Sequence, residues 1–216
     1  MIVSEALQIR RSCRAFKPDP VDRDTLLAVL GAALCTPSWA NSQPWELFVA
    51  GGDVLKEINQ AYLENQRKGV QPSPDLPRPK NWPASINARR QELFSGLSLA
   101  AGEAAKQFGE LNQKFFHAPA VIYLGMDKSL TTWSVFDLGA ISQSIMLAAV
   151  ERGLATIPAV TLVHYPEVLR GKLGIPDNFS LVLGIAIGYE DKEHLINNFK
   201  STRRPLAEAV SIKGLE

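Results

Sequence analysis

Cysteine and histidine are scarce in this sequence. The 216 residues include only Cys13 and Cys35, which do not have the spacing of a metal-ligand or redox pair. Histidine occurs only as His117, His164 and His194, again without ligand spacing. A chain of this length can bury a core without disulfide bonds. The sequence therefore predicts no metal site and no disulfide framework, which fits a reducing compartment.

The sequence also has almost no excess of positive over negative charge. Lys and Arg number 23 against 22 Asp and Glu, so the net charge is +1 and no broad electrostatic attraction to nucleic acid is expected. The N-terminus has neither a long apolar core nor a small-residue cleavage site, as a signal peptide would. Apolar runs are interrupted before they could span a bilayer. The sequence predicts a cytoplasmic protein with no nucleic-acid or membrane partner.

No internal repeat or low-complexity tract divides the chain. Apolar residues make up 46% and charged residues 21%, which is typical of a globular protein. One segment, GVQPSPDLPRPKNWP at 69–83, is rich in proline, which fixes φ and removes hydrogen-bond donors. We therefore predict a single domain over 1–216, with an ordered excursion or lid at about 69–90.

Periodicity and turn residues give a coarse secondary structure. The predicted helices cover Val3–Gln8, Asp22–Leu34 (with Asp22 as cap), Asp53–Gln66, Ile86–Asn112 and Trp133–Glu151. The predicted strands cover Glu46–Ala50, Ala120–Leu124 and Ser180–Tyr189. Within the last strand, Gly184 and Gly188 suggest bends or the close approach of a second backbone.

The helix Trp133–Glu151 is apolar almost all round. Such a helix must be buried on nearly every side. In a chain this short, a second subunit is a natural cover for the remaining face, and Ile145 is expected at that interface. The alternative is a central helix of a monomeric core.

A dense set of donors occurs at Arg10–Arg14, where the first helix is expected to end. Three guanidiniums and the Ser12 hydroxyl fall within five residues. The guanidinium of arginine can donate paired hydrogen bonds to phosphate or carbonyl oxygens. One interpretation of this segment is therefore a binding site for an anionic ligand. A solvated basic helix end that complements the helix dipole is the other.

A polar turn with two prolines and two tryptophans spans Cys35–Trp45, between a helix and a strand. The amides of Asn41 and Gln43 suit the edge of a heteroaromatic ring. The prolines stiffen the loop, as a preorganised site requires. The alternative is an ordered turn that simply leads Trp45 into the core.

Together, RRSCRAF and TPSWANSQPWELFVAG resemble the opening of the FMN-dependent nitroreductase family. The resemblance continues in family order through FFHAPAVIYLG, GLATIPAV, YPEVLRGKLGIP, LVLGIAIGY and STRRPLAEAV, and so covers nearly the whole chain. It implies an α+β fold, a mixed central sheet flanked by helices, whose C-terminal strand is exchanged in a homodimer. It also implies that FMN lies between the subunits. The implied cofactor-binding residues are Arg10, Arg11, Ser12, Arg14, Pro37, Ser38, Trp39, Asn41, Pro158, Ala159, Val160, Arg203 and Arg204.

The resemblance also implies a role for each part of this set. Arg10 and Ser12 are expected at the FMN phosphate and ribityl end, with Arg203 and Arg204 closing on the phosphate. Arg14 is expected near the pyrimidine edge, where a positive charge would stabilise the anionic reduced flavin. The 37–41 loop is expected from the other subunit, and backbone amides of 158–160 near the reactive nitrogen of the ring.

The implied function is an NAD(P)H oxidoreductase that reduces nitroaromatic, quinone or related electrophilic acceptors by ping-pong hydride transfer. NADH or NADPH is the expected electron donor. No side-chain acid or base is assigned, and Glu190 and Asp191 are interpreted as solvated loop charges. Two alternatives remain: a non-catalytic flavin carrier or redox sensor, and another flavin reaction on this fold, such as dehalogenation or flavin breakdown.

Overall fold

A computed structural model describes residues 1–215 as an α+β fold, which confirms the predicted fold class. One four-stranded sheet, in the order β1-β2-β4-β3, lies at its centre, and all its named strands pair antiparallel. The strands are Glu46–Gly51 (β1), Ala120–Asp127 (β2), Ala155–Ala159 (β3) and Phe179–Gly188 (β4). A parallel element comes from the isolated bridge between Ser12 and Thr156.

Helices surround this sheet. Within residues 1–215 they are Val3–Ile9 (α1), Arg23–Ala33 (α2), Gly52–Arg67 (α3), Ala84–Ala101 (α4), Phe108–Gln113 (α5), Thr132–Glu151 (α6), Pro166–Leu173 (α7) and Leu206–Ala209 (α8). The side chain of Asp22 accepts a hydrogen bond from the Thr25 amide at 2.8 Å, which confirms the predicted cap. Short 3₁₀ turns cover Trp39–Asn41, Gly102–Gln107, Phe115–His117, Val160–Val163 and Leu195–Asn198.

One predicted helix is wrong, and strand β3 and helices α7 and α8 were not predicted. The helix predicted over 86–112 is broken, because Gly102 adopts φ 54° and ψ −130°, a conformation that side-chain-bearing residues rarely adopt. The strand β3 was missed because Pro158 argues against a strand interior. It is tolerated there because β3 lies at the end of the sheet order.

The sheet separates two apolar cores. Tyr62, Phe116 and Leu169 belong to one, and Val29 and Ile141 to the other. Strand β2 is buried along almost its whole length between them.

The glycines of β4 mark close approaches, as predicted. A Cβ at Gly184 would collide with Leu162, and one at Gly188 would collide with Pro119 and Phe16. Neither position has room for a side chain.

Helix α6 packs in the core, but one part of its surface is not covered by the rest of the chain. By length and composition it could cross a membrane, but half of that apolar stretch is buried inside the fold. The expectation that Ile145 lies at a dimer interface is wrong, because this residue is 0% exposed in the core. The uncovered apolar side chains of α6 are Trp133 and Phe136, which are 65% and 74% exposed.

The first part of the proline-rich excursion is fastened to the body of the protein. The Asp75 carboxylate accepts hydrogen bonds from the Arg170 guanidinium at 2.8 Å and from the Leu181 amide at 2.7 Å. The Tyr165 hydroxyl donates to the Val70 carbonyl at 3.0 Å. That the remainder of 69–90 acts as a lid stays a prediction.

We expect Asp75→Ala to lower the free energy of unfolding by about 3 kcal/mol, since it breaks the buried ion pair with Arg170 and leaves the Leu181 amide without its acceptor. Asp177 is the matched control, because its carboxylate is 97% exposed and 3.9 Å from the same guanidinium. Asp177→Ala is expected to change stability by less than about 0.5 kcal/mol. Urea unfolding measures both values, and equal effects would contradict the assignment.

Candidate functional site

The Arg10–Phe16 segment lies extended along the outer edge of β3. The Cys13 amide donates to the Thr156 carbonyl at 3.0 Å, and Thr156 pairs with β4 on its other side. Phe16 forms a second bridge, to Glu190. This pairing holds the segment against the body of the protein, where Cys13, Arg14, Ala15 and Phe16 are all buried. Cys13 enters the core, where burial raises the pKa of its thiol to about 12, so it is no nucleophile.

A cationic cleft of about 840 Å³ opens beside this segment. Its charged lining residues are Arg10, Arg11, Lys17, Lys192, Lys200, Arg203 and a single acid, Glu190. Arg10 and Arg203 line the same cleft although they come from opposite ends of the chain. Burial, followed by the charge of Arg203, lowers the pKa of Arg10. Within residues 1–215, Arg11 alone of these cations forms an ion pair. The cleft therefore has the charge to bind a phosphate group.

Glu190 corrects an expectation from the sequence. It is not a solvated loop charge: its side chain is 17% exposed and pairs with Arg11 at 2.6 Å. The bridge to Phe16 brings it there. Arg11 is thus largely neutralised, and Arg10 and Arg203 are left as the main charges for a phosphate.

Arg14 is buried, with 9% exposure, and has no acidic partner among the described residues. Its Nη1 donates to the Ser12 carbonyl at 3.1 Å, and its guanidinium lies 5.2 Å from the ring centroid of Phe199. Burial lowers the pKa of this guanidinium. A buried positive charge without a carboxylate favours a ligand that presents a negative or carbonyl edge.

Asn197 is a site residue that sequence reasoning missed. Its Oδ1 accepts from the Arg14 amide at 2.7 Å, and its Nδ2 donates to the carbonyls of Ala15 and Asp191 at 2.8 and 2.9 Å. No sequence pattern marks it, because all three partners are main-chain atoms and two of them, in Arg14 and Ala15, are more than 180 residues away. Lys200 was also missed, although its place three residues before Arg203 was a usable signal.

The 37–41 loop lies at a separate, apolar pocket of about 520 Å³. The pocket is lined by Pro37, Ser38, Trp39, Trp133, Phe136 and Asp137, and it shares no lining residue with the cationic cleft. The Trp39 amide donates to both carboxylate oxygens of Asp137 at 3.3 Å, and the rings of Trp39 and Trp133 are 6.1 Å apart. Asn41 does not line this apolar pocket, and its backbone φ is +56°.

The remaining predicted residues divide between two places. Pro158 and Ala159 are the last two residues of β3, the strand that contacts Ser12 through Thr156. Val160 follows the strand, and its side chain is 44% exposed. Arg203 lines the cationic cleft, whereas Arg204 lines only a neighbouring cleft beside α4. The chain thus brings Arg10, Arg11 and Arg203 together in one cleft, beside Ala155 of β3. Ser12, Arg14 and residues 158–160 are not in the lining of that cleft, and the 37–41 loop lies at a separate pocket.

Comparison with known proteins gives a consistent match. The family model described as the nitroreductase family matches residues 7–189. A 4-nitrobenzoate reductase of Nocardioides sp. (strain LMS-CY) is 30% identical over 94% of this chain and 86% of its own length. The crystal structure of an FMN- and NADPH-dependent nitroreductase, NfnB from Sphigopyxis sp. strain HMH, has a TM-score of 0.93 at 30% identity, with both chains covered completely. NfnB from Mycobacterium smegmatis, in complex with NADPH, has a TM-score of 0.89 at 26% identity over 98% of this chain and 100% of that one.

The charge of the cleft gives a testable preference for phosphorylated flavin. We expect Arg203→Ala to weaken FMN binding about 10- to 100-fold, because a charge-assisted hydrogen bond is lost. Riboflavin, which has no phosphate, should be affected less than about twofold. Arg204→Ala is the matched control and should leave FMN binding nearly unchanged. Flavin fluorescence titration measures both ligands, and an equal loss of FMN and riboflavin binding would refute the phosphate assignment.

Proposed function

Because this chain belongs to the nitroreductase family, we propose that it reduces nitroaromatic, quinone or related electrophilic acceptors by ping-pong hydride transfer. It is an oxidoreductase with FMN as cofactor and NADH or NADPH as electron donor. Nitroaromatic compounds are the acceptors that the names of its relatives favour. A cytoplasmic location goes with this proposal.

The convergence of Arg10 and Arg203 on one cleft is the observation that carries the proposal. Their proximity concentrates positive charge where no carboxylate neutralises either of them within residues 1–215. Such a cluster fits a dianionic phosphate better than any neutral ligand. We assign the phosphate to Arg10 and Arg203, with Lys200 in the same cleft. A contact of the Ser12 hydroxyl with the ribityl end stays a prediction.

When bound, FMN would supply the redox chemistry between the nicotinamide and the acceptor, and the protein would hold and orient it. Arg14 places a buried positive charge that would favour negative charge on the pyrimidine edge. The main-chain amides of Ala159 and Val160 would supply donors near the ring, since Pro158 has no N–H. No side chain is assigned as acid or base, since no histidine lines the cationic cleft and its one acid pairs with Arg11.

The functional unit that we propose is a homodimer in which each FMN contacts both chains. The cationic cleft and the 37–41 loop lie in different pockets of one chain, so a second copy would supply the loop. An uncovered apolar face supports this arrangement, since Trp39, Trp133 and Phe136 are between 65% and 74% exposed. The C-terminal strand exchange also stays a proposal: residues 201–215 form no strand within this chain, and Leu206, Val210 and Ile212 are exposed.

We expect the purified protein to have the visible absorption spectrum of bound flavin, which bleaches on anaerobic addition of NADH or NADPH. Adding a nitroaromatic acceptor should restore the absorbance, and steady-state plots should show the parallel lines of ping-pong kinetics. A protein that binds FMN but is bleached by neither nicotinamide would instead be a carrier or sensor. A protein that binds no FMN would refute the proposed function.

We expect Phe136→Glu to yield folded monomers, because the added charge lies on an exposed apolar face that the partner would cover. Ile145→Glu is the contrasting variant: it places a charge in the core and should unfold the protein instead. Light scattering gives the oligomeric state and circular dichroism the fold. A Phe136→Glu protein that remains dimeric would contradict this interface.

A further inference from the structure

Phe199 lies where the Arg10–Arg14 segment, α4 and the C-terminal tail meet. The residue is 6% exposed, and the guanidinium carbon of Arg14 lies 5.2 Å from its ring centroid. The same ring lies against Gly96 of α4, where an added Cβ would lie 3.0 Å from its Cε2 atom. The ring therefore contacts both the helix and the guanidinium.

The Arg14 guanidinium has few other restraints. Its one side-chain hydrogen bond in the described part of the chain goes to the Ser12 carbonyl, and no carboxylate pairs with it there. Asn197 fixes the Arg14 main chain but not its guanidinium. Within residues 1–215, the only fully enclosed polar side-chain atoms without a partner are Tyr123 Oη and Thr156 Oγ1. The other guanidinium nitrogens of Arg14 thus keep some contact with solvent, although the residue as a whole is only 9% exposed.

We propose that Phe199 is a positioning residue that sets the reduction potential of bound FMN by holding Arg14 in place. The face of an aromatic ring attracts a guanidinium and limits its orientations. A positive charge held at a fixed position stabilises the anionic reduced flavin more than the neutral oxidised form. This inference rests on the proposed function, because it requires that Arg14 face FMN.

The test measures the midpoint potential of FMN in the full-length holoprotein, together with the dissociation constant of oxidised FMN. We expect Phe199→Leu, which keeps apolar volume but removes the ring, to weaken binding of reduced FMN about three- to tenfold more than that of oxidised FMN. A tenfold change in this ratio lowers a two-electron potential by about 30 mV. Phe199→Tyr, which retains the ring, should restore the wild-type ratio. A purely structural role of Phe199 would weaken both forms equally.

Gly96→Ala is a second variant that displaces the ring from the side of α4. Alanine is favoured in a helix, so this protein should fold, and its potential should move in the same direction as that of Phe199→Leu. In an Arg14→Met background, Phe199→Leu should no longer change the ratio, because the ring acts through the guanidinium.

The outcomes separate this inference from the proposed function. If wild-type protein binds no FMN, the proposed function fails. If FMN binds and Arg14→Met shifts the potential while Phe199→Leu does not, the inference is wrong and the proposed function stands. If Phe199→Leu shifts the potential equally with and without Arg14, the ring acts directly on FMN, which also overturns the inference.

Discussion

The pairing of a short N-terminal segment with the edge of the sheet is the constraint on which the rest of the site depends. Main-chain contacts of Ser12 and Cys13 with Thr156, and of Phe16 with Glu190, fix the register of this segment. A slip of one residue would move Cys13 from its place in the core and displace Arg10 and Arg11 from the cleft. Backbone hydrogen bonds thus determine the positions of the charged side chains, which in turn make the cleft.

The charges themselves oppose folding. Arg10 and Arg203 repel each other, and Arg14 is buried without a counter-charge among the described residues. Arrangements that break the ordinary rule of paired charges are expected at functional sites, where a ligand completes them. Glu190 relieves part of the repulsion through Arg11 but leaves the other guanidiniums available. The local instability is therefore informative, because it points to a ligand of opposite charge.

Local signals predicted most of the fold. The cap at Asp22 and the apolar periods of α2, α3 and α6 gave helix bounds within one or two residues of those observed. Prediction failed where tertiary context decides, as at the break caused by Gly102 and at β3, where Pro158 is acceptable only on an edge. Periodicity also showed that α6 is apolar all round, but it could not show which face meets the sheet. For that reason Ile145, and not Phe136, was placed at the interface.

The site was predicted from the resemblance more than from the residues alone. Arg10 and Arg203 are nearly two hundred positions apart, and no spacing rule joins them. The roles of Glu190 and Asn197 arise from contacts with main-chain and side-chain groups remote in sequence.

The segment that carries the guanidiniums has one more consequence, since it covers the outer edge of β3 at Thr156. An uncovered edge strand offers free amides and carbonyls to any passing chain. Detachment of these few residues would therefore expose a surface prone to intermolecular β-pairing, so the same segment that builds the binding site also protects the protein against aggregation.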